Sequence, residues 1–454
     1  MFVACRHSKL IAPIAVSLAS LALSALPSQS AEEVLLQLGP VNRAVTVSDL
    51  EMFLENGRTN GLLQYLNREQ QEYLRLALTQ SQEFNIVPVS QWFNSPMGER
   101  TLLFAGQLFQ TGARFNGQKA LRAAIITSLA DDDQLSTLEL IRNFPSRRLV
   151  VNISQGIEYG RQTLDDVNTT LALIAAASEQ SAADAELDFA FDLEALPNLI
   201  DEGPHAVEMV ELDLEDTDRQ RSVPADLFLP QHLDDFQAPI PIVVLSHGLG
   251  DSRTSFHDIA SHLASHGIAA VLPEHIGSNS EQKDAMLGGF SNETFLASEF
   301  LDRPLDITFL LDELERLNES DFQSLLRLNR LAVVGHSFGG YTALALAGAT
   351  INFEELDQRC SLDANIAINT ASLLECRALE LTDNPETVDL LGELGVRDDR
   401  VAAIMGFAPV TRLFGETGIG NIDIPTAIVG GAYDFVSPVV EQQARAFSWL
   451  QTPD

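Results

Sequence analysis

The sequence predicts an α/β fold with a doubly wound, mostly parallel sheet, preceded by a small, mainly helical domain. Short apolar runs such as 242–245 and 331–334 are typical of strands that are buried on both faces of a parallel sheet. The second run leads through a glycine-containing turn into a helical pattern at 341–347. Residues 48–144 instead repeat leucine and phenylalanine at helical spacing, which predicts packed helices.

The turn between the strand 331–334 and the following helix carries a reactive pattern. It reads Gly-His-Ser-Phe-Gly-Gly, which contains G-x-S-x-G, and its strand–turn–helix context is typical of the nucleophile elbow of the α/β-hydrolase fold. In such an elbow the serine, here Ser337, has a strained backbone conformation. Gly335, Gly339 and Gly340 would leave room where strand and helix crowd together. The context argues against a chance match, and Ser337 is therefore the predicted nucleophile.

A second loop supports this prediction. It follows the apolar run 242–245, in the position from which α/β-hydrolases supply one backbone N–H of the oxyanion hole. The predicted donors are the amides of Leu249 and Phe338. A glycine at 248 lets the backbone approach a substrate carbonyl, and His247 is expected to brace the loop through its side chain.

These motifs carry a family resemblance. The stretch from Ser246 to His275, together with 335–340, resembles the platelet-activating-factor acetylhydrolase and dienelactone hydrolase group. From about residue 32 onward, the chain resembles exported bacterial, chiefly cyanobacterial, α/β-hydrolases with an N-terminal helical domain of unknown function. The resemblance implies hydrolysis of carboxylic esters, including lipids with short or oxidised acyl chains, by a Ser–Asp–His triad.

The predicted triad acid is Asp434. It follows the strand-like run 426–431 and precedes Pro438, the place where dienelactone-hydrolase-like enzymes carry their acid. The acetylhydrolases carry the acid one strand earlier, and the matching stretch 406–409 has no carboxylate at the key position. An ordinary surface turn residue is the alternative interpretation of Asp434.

The triad histidine is the difficulty. All nine histidines lie at or before position 336, although in this fold the histidine follows the acid. We expect a truncated chain that lacks the last strand and the catalytic-histidine loop and is weakly active or inactive. A genuine pseudo-hydrolase is the second interpretation, and recruitment of His275 or His336 is the third.

Composition restricts the partners. The chain has 64 acidic and 28 basic residues, a net charge of −36, which argues against nucleic acid and against electrostatic attachment to anionic membranes. No metal-ligand spacing, phosphate loop or dinucleotide fingerprint is visible, so we expect no metal and no cofactor. The predicted function is that of a secreted serine esterase for a small ester or lipid. A non-catalytic binding or scaffold protein is the alternative, and a serine peptidase is a lesser one.

The first segment indicates export. Residues 1–30 combine a basic start, an apolar stretch and small residues, as in a signal peptide, so we expect a periplasmic or extracellular protein without an integral membrane span after signal removal. In an oxidising compartment, Cys360 and Cys376 are close enough in sequence to form a disulfide.

The remaining chain divides into three predicted parts. They are a helical N-terminal domain at 31–155, a helical linker at 156–204 and an α/β-hydrolase domain at 205–454. Within the last part, the polar stretch 277–303 is a candidate lid or acyl pocket. Its phenylalanines at 290, 295 and 300 could line that pocket or pack the helix that follows.

Overall fold

The computed structural model describes residues 30–184, 198–233, 236, 238–361 and 369–452. The predicted signal peptide lies outside these residues except for Ser30. The chain forms two compact units, one of Met1–Phe84 with Ala105–Ser154 and one of Asn85–Phe104 with Gln155–Asp454. The second unit thus includes the segment 85–104, whereas the sequence predicts that this segment belongs to the N-terminal domain. No helix within the described ranges is long and apolar enough to span a membrane.

The first unit contains a sheet as well as the predicted helices. Its strands are β1 (Glu33–Leu38), β2 (Val41–Thr46), β3 (Ser81–Glu83), β4 (Phe109–Thr111), β5 (Gln134–Ser136) and β6 (Arg148–Asn152). Its helices are α1 (Val47–Asn56), α2 (Arg68–Thr79), α5 (Gln118–Asp132) and α6 (Thr137–Arg142). One sheet has the order β2-β1-β6-β4, and β3 pairs with β5. Apolar side chains such as Phe53 and Phe144 form its core.

The second unit holds a larger sheet. Its strands are β7 (Val207–Leu212), β8 (Glu215–Asp216), β9 (Arg221–Ser222), β10 (Ala225–Pro230), β11 (Ile240–Ser246), β12 (Ala269–Pro273), β13 (Leu326–His336), β14 (Val401–Phe407) and β15 (Thr426–Val429). Its helices are α3 (Ile86–Asn94), α8 (His257–Ser265), α9 (Ser280–Leu287), α10 (Glu299–Ser320), α11 (Phe338–Leu346), α12 (Phe353–Cys360), α13 (Thr370–Glu375), α14 (Pro385–Asp389), α15 (Gly415–Ile419) and α16 (Arg445–Trp449). Helices α4 (Pro96–Leu108) and α7 (Ile153–Asp184) cross the boundary between the units along the chain.

The sheet order explains where a site can form. Seven strands run in the order β15-β14-β13-β11-β12-β10-β7, and the pairs from β12 through β15 are parallel. Alternate residues of β11 enter two different cores, Ile242 and Val244 in one and Val243 and Leu245 in the other. The sheet is therefore buried on both faces, which confirms the predicted doubly wound, mostly parallel sheet. The carboxyl ends of β11, β13, β14 and β15 share one edge, where sites of open α/β sheets lie.

Candidate active site

Ser337 lies in the turn between β13 and α11, and its backbone is strained. Its φ of 54° and ψ of −113° are unusual for a residue with a side chain. The N–H of Ser337 donates to the Phe407 carbonyl (2.8 Å), and its own carbonyl accepts from the Val410 N–H (3.3 Å). The end of β14 therefore holds the serine on both sides, and its side chain remains partly accessible.

Steric crowding explains the glycines of this turn. A Cβ on Gly335 would lie 2.0 Å from the Gly339 carbonyl oxygen, and a Cβ on Gly339 would lie 2.0 Å from the Ser246 oxygen. On Gly340 it would lie 2.6 Å from the Pro409 Cβ. Any larger residue would push apart β11, β13 and α11, so the geometry of the turn requires the three glycines.

The loop after β11 faces the serine. A Cβ on Gly248 would lie only 3.5 Å from the Ser337 Cβ, so the loop backbone and Ser337 are adjacent. Within the described part of the chain, the amides of Leu249 and Phe338 donate to no backbone acceptor. Two unpaired backbone donors beside a strained serine are what an oxyanion hole needs.

His247 braces this loop and is not a base. Its Nδ1–H donates to the Gly248 carbonyl (2.8 Å), and its Nε2 accepts from the His275 backbone N–H (3.1 Å). Burial, and then the charge of Arg303, lower the pKa of His247 to about 3. The imidazole is therefore neutral, and both of its nitrogens are bonded to backbone groups of loops.

The two histidines considered as recruited bases are placed differently. His275 is fully buried, its Nε2 lies 2.9 Å from the Ser246 Oγ, and burial lowers its pKa well below the ordinary value. His336 is exposed at the end of β13. Among the described residues, neither histidine forms a hydrogen bond with Ser337.

Sequence reasoning missed a buried cation behind the loop. Arg303 of α10 has no exposed surface and donates to the carbonyl of His247 (2.8 Å). Its guanidinium lies 4.3 Å from the centre of the Phe338 ring. Burial lowers the pKa of Arg303 to about 10, with Glu299 opposing the shift, so the side chain is charged at neutral pH. The spacing of Glu299 and Arg303, four apart at the start of a helix, is the signal that could have revealed it.

Asp434 lies at the same sheet edge, in the turn that follows β15. Its Oδ1 accepts hydrogen bonds from the N–H groups of Val436 (2.8 Å) and Ser437 (2.9 Å). The neighbouring Tyr433 and Phe435 are 82% and 84% exposed. No contact among the described residues joins Asp434 to Ser337, since β14 lies between their strands.

An apolar cavity of about 250 Å³ lies beside Asp434. It is lined by residues of α7, by Asn369 and by the loop after β15, namely Thr163, Asp166, Val167, Thr170, Leu171, Asn369, Ala432, Tyr433, Asp434, Phe435, Pro438 and Val439. Ser337 is not part of this lining. Burial is the main cause that raises the pKa of Asp166 in this cavity.

The three phenylalanines of the predicted lid have different positions. Phe295 and Phe300 are buried and pack edge-on against Phe338, with ring centres 5.5 and 5.0 Å away. Of the two interpretations, packing is therefore right for both. Phe290 is 90% exposed, after the end of α9.

The disulfide prediction is confirmed. Cys360 at the end of α12 and Cys376 after α13 are bonded, with Cα atoms 5.7 Å apart. The described ranges contain no cluster of three or more His, Cys, Asp or Glu residues that could hold a metal ion.

Comparison with protein families agrees with this geometry. Residues 243–453, which include Leu249, Ser337 and Asp434, match the model of the alpha/beta hydrolase family. The second unit has the α/β-hydrolase fold. Residues 30–152 match the family described as alpha/beta hydrolase of unknown function (DUF1400). No curated protein matches the chain. The family of the α/β-hydrolase domain supports a hydrolase, and its seven-stranded sheet has the fold that the sequence predicts.

Proposed function

We propose that this protein is a serine hydrolase that acts on carboxylic esters, with Ser337 as its nucleophile. The observation that carries the proposal is the pairing of a strained Ser337 with the glycine loop 248–250, whose Leu249 amide is unpaired among the described residues. In the proposed reaction the Ser337 Oγ attacks the ester carbonyl, the alcohol leaves, and water releases the acyl group.

The oxyanion donors and Asp434 have separate roles in this proposal. The amides of Leu249 and Phe338 stabilise the negative charge that forms on the carbonyl oxygen. The two backbone N–H groups that bind Asp434 engage only its Oδ1. Its Oδ2 is the proposed acceptor for the N–H of an imidazole, which would orient that base toward Ser337.

Added imidazole tests the proposal directly, because no histidine among the described residues is bonded to Ser337. The substrate is p-nitrophenyl acetate, and the measurement is the burst of nitrophenol together with the acetyl group found on Ser337 by mass spectrometry. We expect acylation to rise with imidazole, and Ser337→Ala to lose the protein-dependent part. Ser337→Ala also corrects for hydrolysis by imidazole itself.

Asp434 is tested in the same assay with the variant Asp434→Asn. In Asp434→Asn the side-chain oxygen still accepts from the N–H groups of Val436 and Ser437, so the unfolding temperature should be kept. The imidazole-dependent rate should fall by about 10²-fold or more, since an amide orients an imidazole in the wrong tautomer. An Asp434→Asn protein with the wild-type rate would show that Asp434 is only a turn residue.

A non-catalytic binding protein is the second candidate function. It is favoured by the placement of His247 and His275, which are buried and bonded away from the serine. Folded wild-type protein that is not acetylated on Ser337 at any imidazole concentration, and not labelled by a fluorophosphonate, would support this candidate and contradict the esterase.

Export belongs to the proposal as well. The disulfide between Cys360 and Cys376 and the apolar pattern of residues 1–30 support it. Expression of the full chain in a bacterium, followed by separation of periplasm and cytoplasm, tests it. We expect a periplasmic protein that has lost about 30 residues and resists thiol alkylation until it is reduced.

A further inference from the structure

Arg303 contacts the backbone of the loop that faces Ser337. It lies in the first turns of α10 and is fully buried. Its Nη1 donates to the His247 carbonyl (2.8 Å), its Nη2 to the Gly248 carbonyl (3.4 Å) and its Nε to the Ser278 Oγ (2.8 Å). The face of the same guanidinium lies 4.3 Å from the centre of the Phe338 ring. One side chain thus contacts both segments that carry the proposed oxyanion donors.

Peptide geometry connects these contacts to the donors. The Gly248 carbonyl and the Leu249 N–H belong to one planar trans peptide group, so they point in opposite directions. A cation that draws the carbonyl toward α10 therefore turns the N–H away from α10. Stacking on the Phe338 ring restrains the residue that supplies the second amide.

We propose that Arg303 is a positioning residue that aims the Leu249 and Phe338 amides at the developing oxyanion. The proposal rests on the proposed esterase function of Ser337. Arg303 touches neither substrate nor reacting atoms and acts through the two backbone segments.

Acidic side chains compensate the buried charge of Arg303 while the guanidinium keeps its contacts with the loop. Glu299 lies 3.6 Å from the Arg303 Nε, and its carboxylate also accepts from Ser278 and pairs with Arg221 at 2.6 Å. A buried cation is costly unless such partners surround it. The planar guanidinium can serve three acceptors and stack on a ring at once, whereas a lysine ammonium cannot.

The chain offers a matched control in Arg377. This arginine is also buried, donates to the Phe295 carbonyl, stacks 4.5 Å from the centre of the Phe295 ring and pairs with Glu293 and Glu380. It contacts neither His247 nor Gly248. Arg303→Lys and Arg377→Lys thus remove similar stacking and main-chain contacts, one at the loop and one away from it.

The test compares both variants with the wild type in the imidazole-assisted acylation assay. For Arg303→Lys we expect the acylation rate constant to fall by about 10²-fold, as for a small misplacement of catalytic groups, with KM unchanged. For Arg377→Lys we expect the wild-type rate constant and KM. Hydrogen exchange measured by mass spectrometry should show faster exchange of the peptide covering 247–251 in Arg303→Lys only.

The outcomes separate this inference from the proposed function. A wild-type rate in Arg303→Lys, or an equal loss in Arg377→Lys, would overturn the positioning role. If the wild type itself is not acylated, the esterase has failed, and the role of Arg303 in aiming an oxyanion hole fails with it. Hydrogen exchange then shows only whether Arg303 orders the loop.

If Arg303→Lys does not fold, Ser278→Ala keeps the guanidinium and removes its Nε acceptor. It should show a smaller loss of the same rate constant, and a wild-type rate there would overturn the proposal.

Discussion

Two parts of the sheet edge are organised differently. We call the part around Ser337 the serine side and the part around Asp434 the acid side. On the serine side, Ser246, His247 and His275 have no exposed surface, and they bond to one another and to the loop backbone. On the acid side, Tyr433 and Phe435 are more than 80% exposed around Asp434. The serine side is therefore held by buried hydrogen bonds, whereas Asp434 is fixed mainly by its own turn.

The position of the strands accounts for this difference. β11 and β13 are interior strands with neighbours on both sides, so the loops that leave them pack against other loops. β15 has only four residues and pairs with β14 alone within the described ranges. Buried polar groups must be satisfied by hydrogen bonds, which fixes the serine side, and an exposed turn has no such requirement.

The comparison is tested by substituting alanine for one glycine on each side. The largest effect on stability is expected from this pair. In Gly339→Ala the new Cβ would lie 2.0 Å from the Ser246 carbonyl oxygen, a backbone atom that cannot move alone. We expect the free energy of unfolding to fall by at least about 3 kcal/mol. In Gly431→Ala the nearest atom is the Asp434 Cβ at 3.1 Å, and we expect a loss below about 1 kcal/mol.

Urea unfolding of the two variants and the wild type measures this difference. Equal losses at both positions would contradict the comparison, because the acid-side turn would then be packed as tightly as the elbow. A loss of stability in Gly431→Ala alone would show that the turn around Asp434 is packed more tightly than the elbow.

Local patterns were enough to predict much of the serine side. The buried run before Gly335, the helix after Ser337 and the second run before His247 are contiguous in sequence, so their order predicts the strand–turn–helix units. The disulfide between Cys360 and Cys376 was also predictable, since the two residues are 16 apart.

Long-range contacts could not be predicted in this way. Arg303 bonds to His247, which is 56 residues earlier, and nothing in either local pattern points to the other. Residues 85–104 have the helical spacing of their neighbours, yet the Thr294 hydroxyl contacts the Met97 sulfur across 197 residues. Such pairings depend on how the sheet brings distant segments together, which periodicity does not encode.

The pH dependence of stability tests the buried loop. Unfolded His247 titrates near pH 6.5, whereas the folded residue has a pKa of about 3. Between these values the unfolded state binds a proton that the folded state does not, so stability falls as pH falls from 6.5. The loss approaches about 1.4 kcal/mol per pH unit as the unfolded histidine becomes fully protonated below pH 6.5.

Urea unfolding of the wild type and His247→Gln at pH 6.5, 6.0, 5.5 and 5.0 tests this value. We expect the free energy of unfolding of the variant to depend less steeply on pH. The difference should correspond to the uptake of about one proton on unfolding. Parallel curves would mean that His247 is protonated in the folded loop, which would remove the argument that it is a neutral brace.

The smallest effect is expected at Ala408, the residue where the two sides meet. Its N–H donates to the Val429 carbonyl of β15, and the preceding carbonyl, of Phe407, accepts from the Ser337 N–H. Its φ of 44° lies in the left-handed region, which is unfavourable for alanine. Ala408→Gly should relieve this strain and raise the free energy of unfolding by about 0.5 kcal/mol, after the larger entropy of an unfolded glycine is subtracted.

Calorimetric unfolding of Ala408→Gly checks the sign against Ala343→Gly, an interior position of α11 where glycine should lower stability by about 1 kcal/mol. If Ala408→Gly also loses stability, the alanine conformation is not strained. If it gains stability and slows the imidazole-assisted acylation of Ser337, then the strained junction helps to hold the nucleophile in place. The acid side would then help to position Ser337 through Ala408, the residue that connects the two sides.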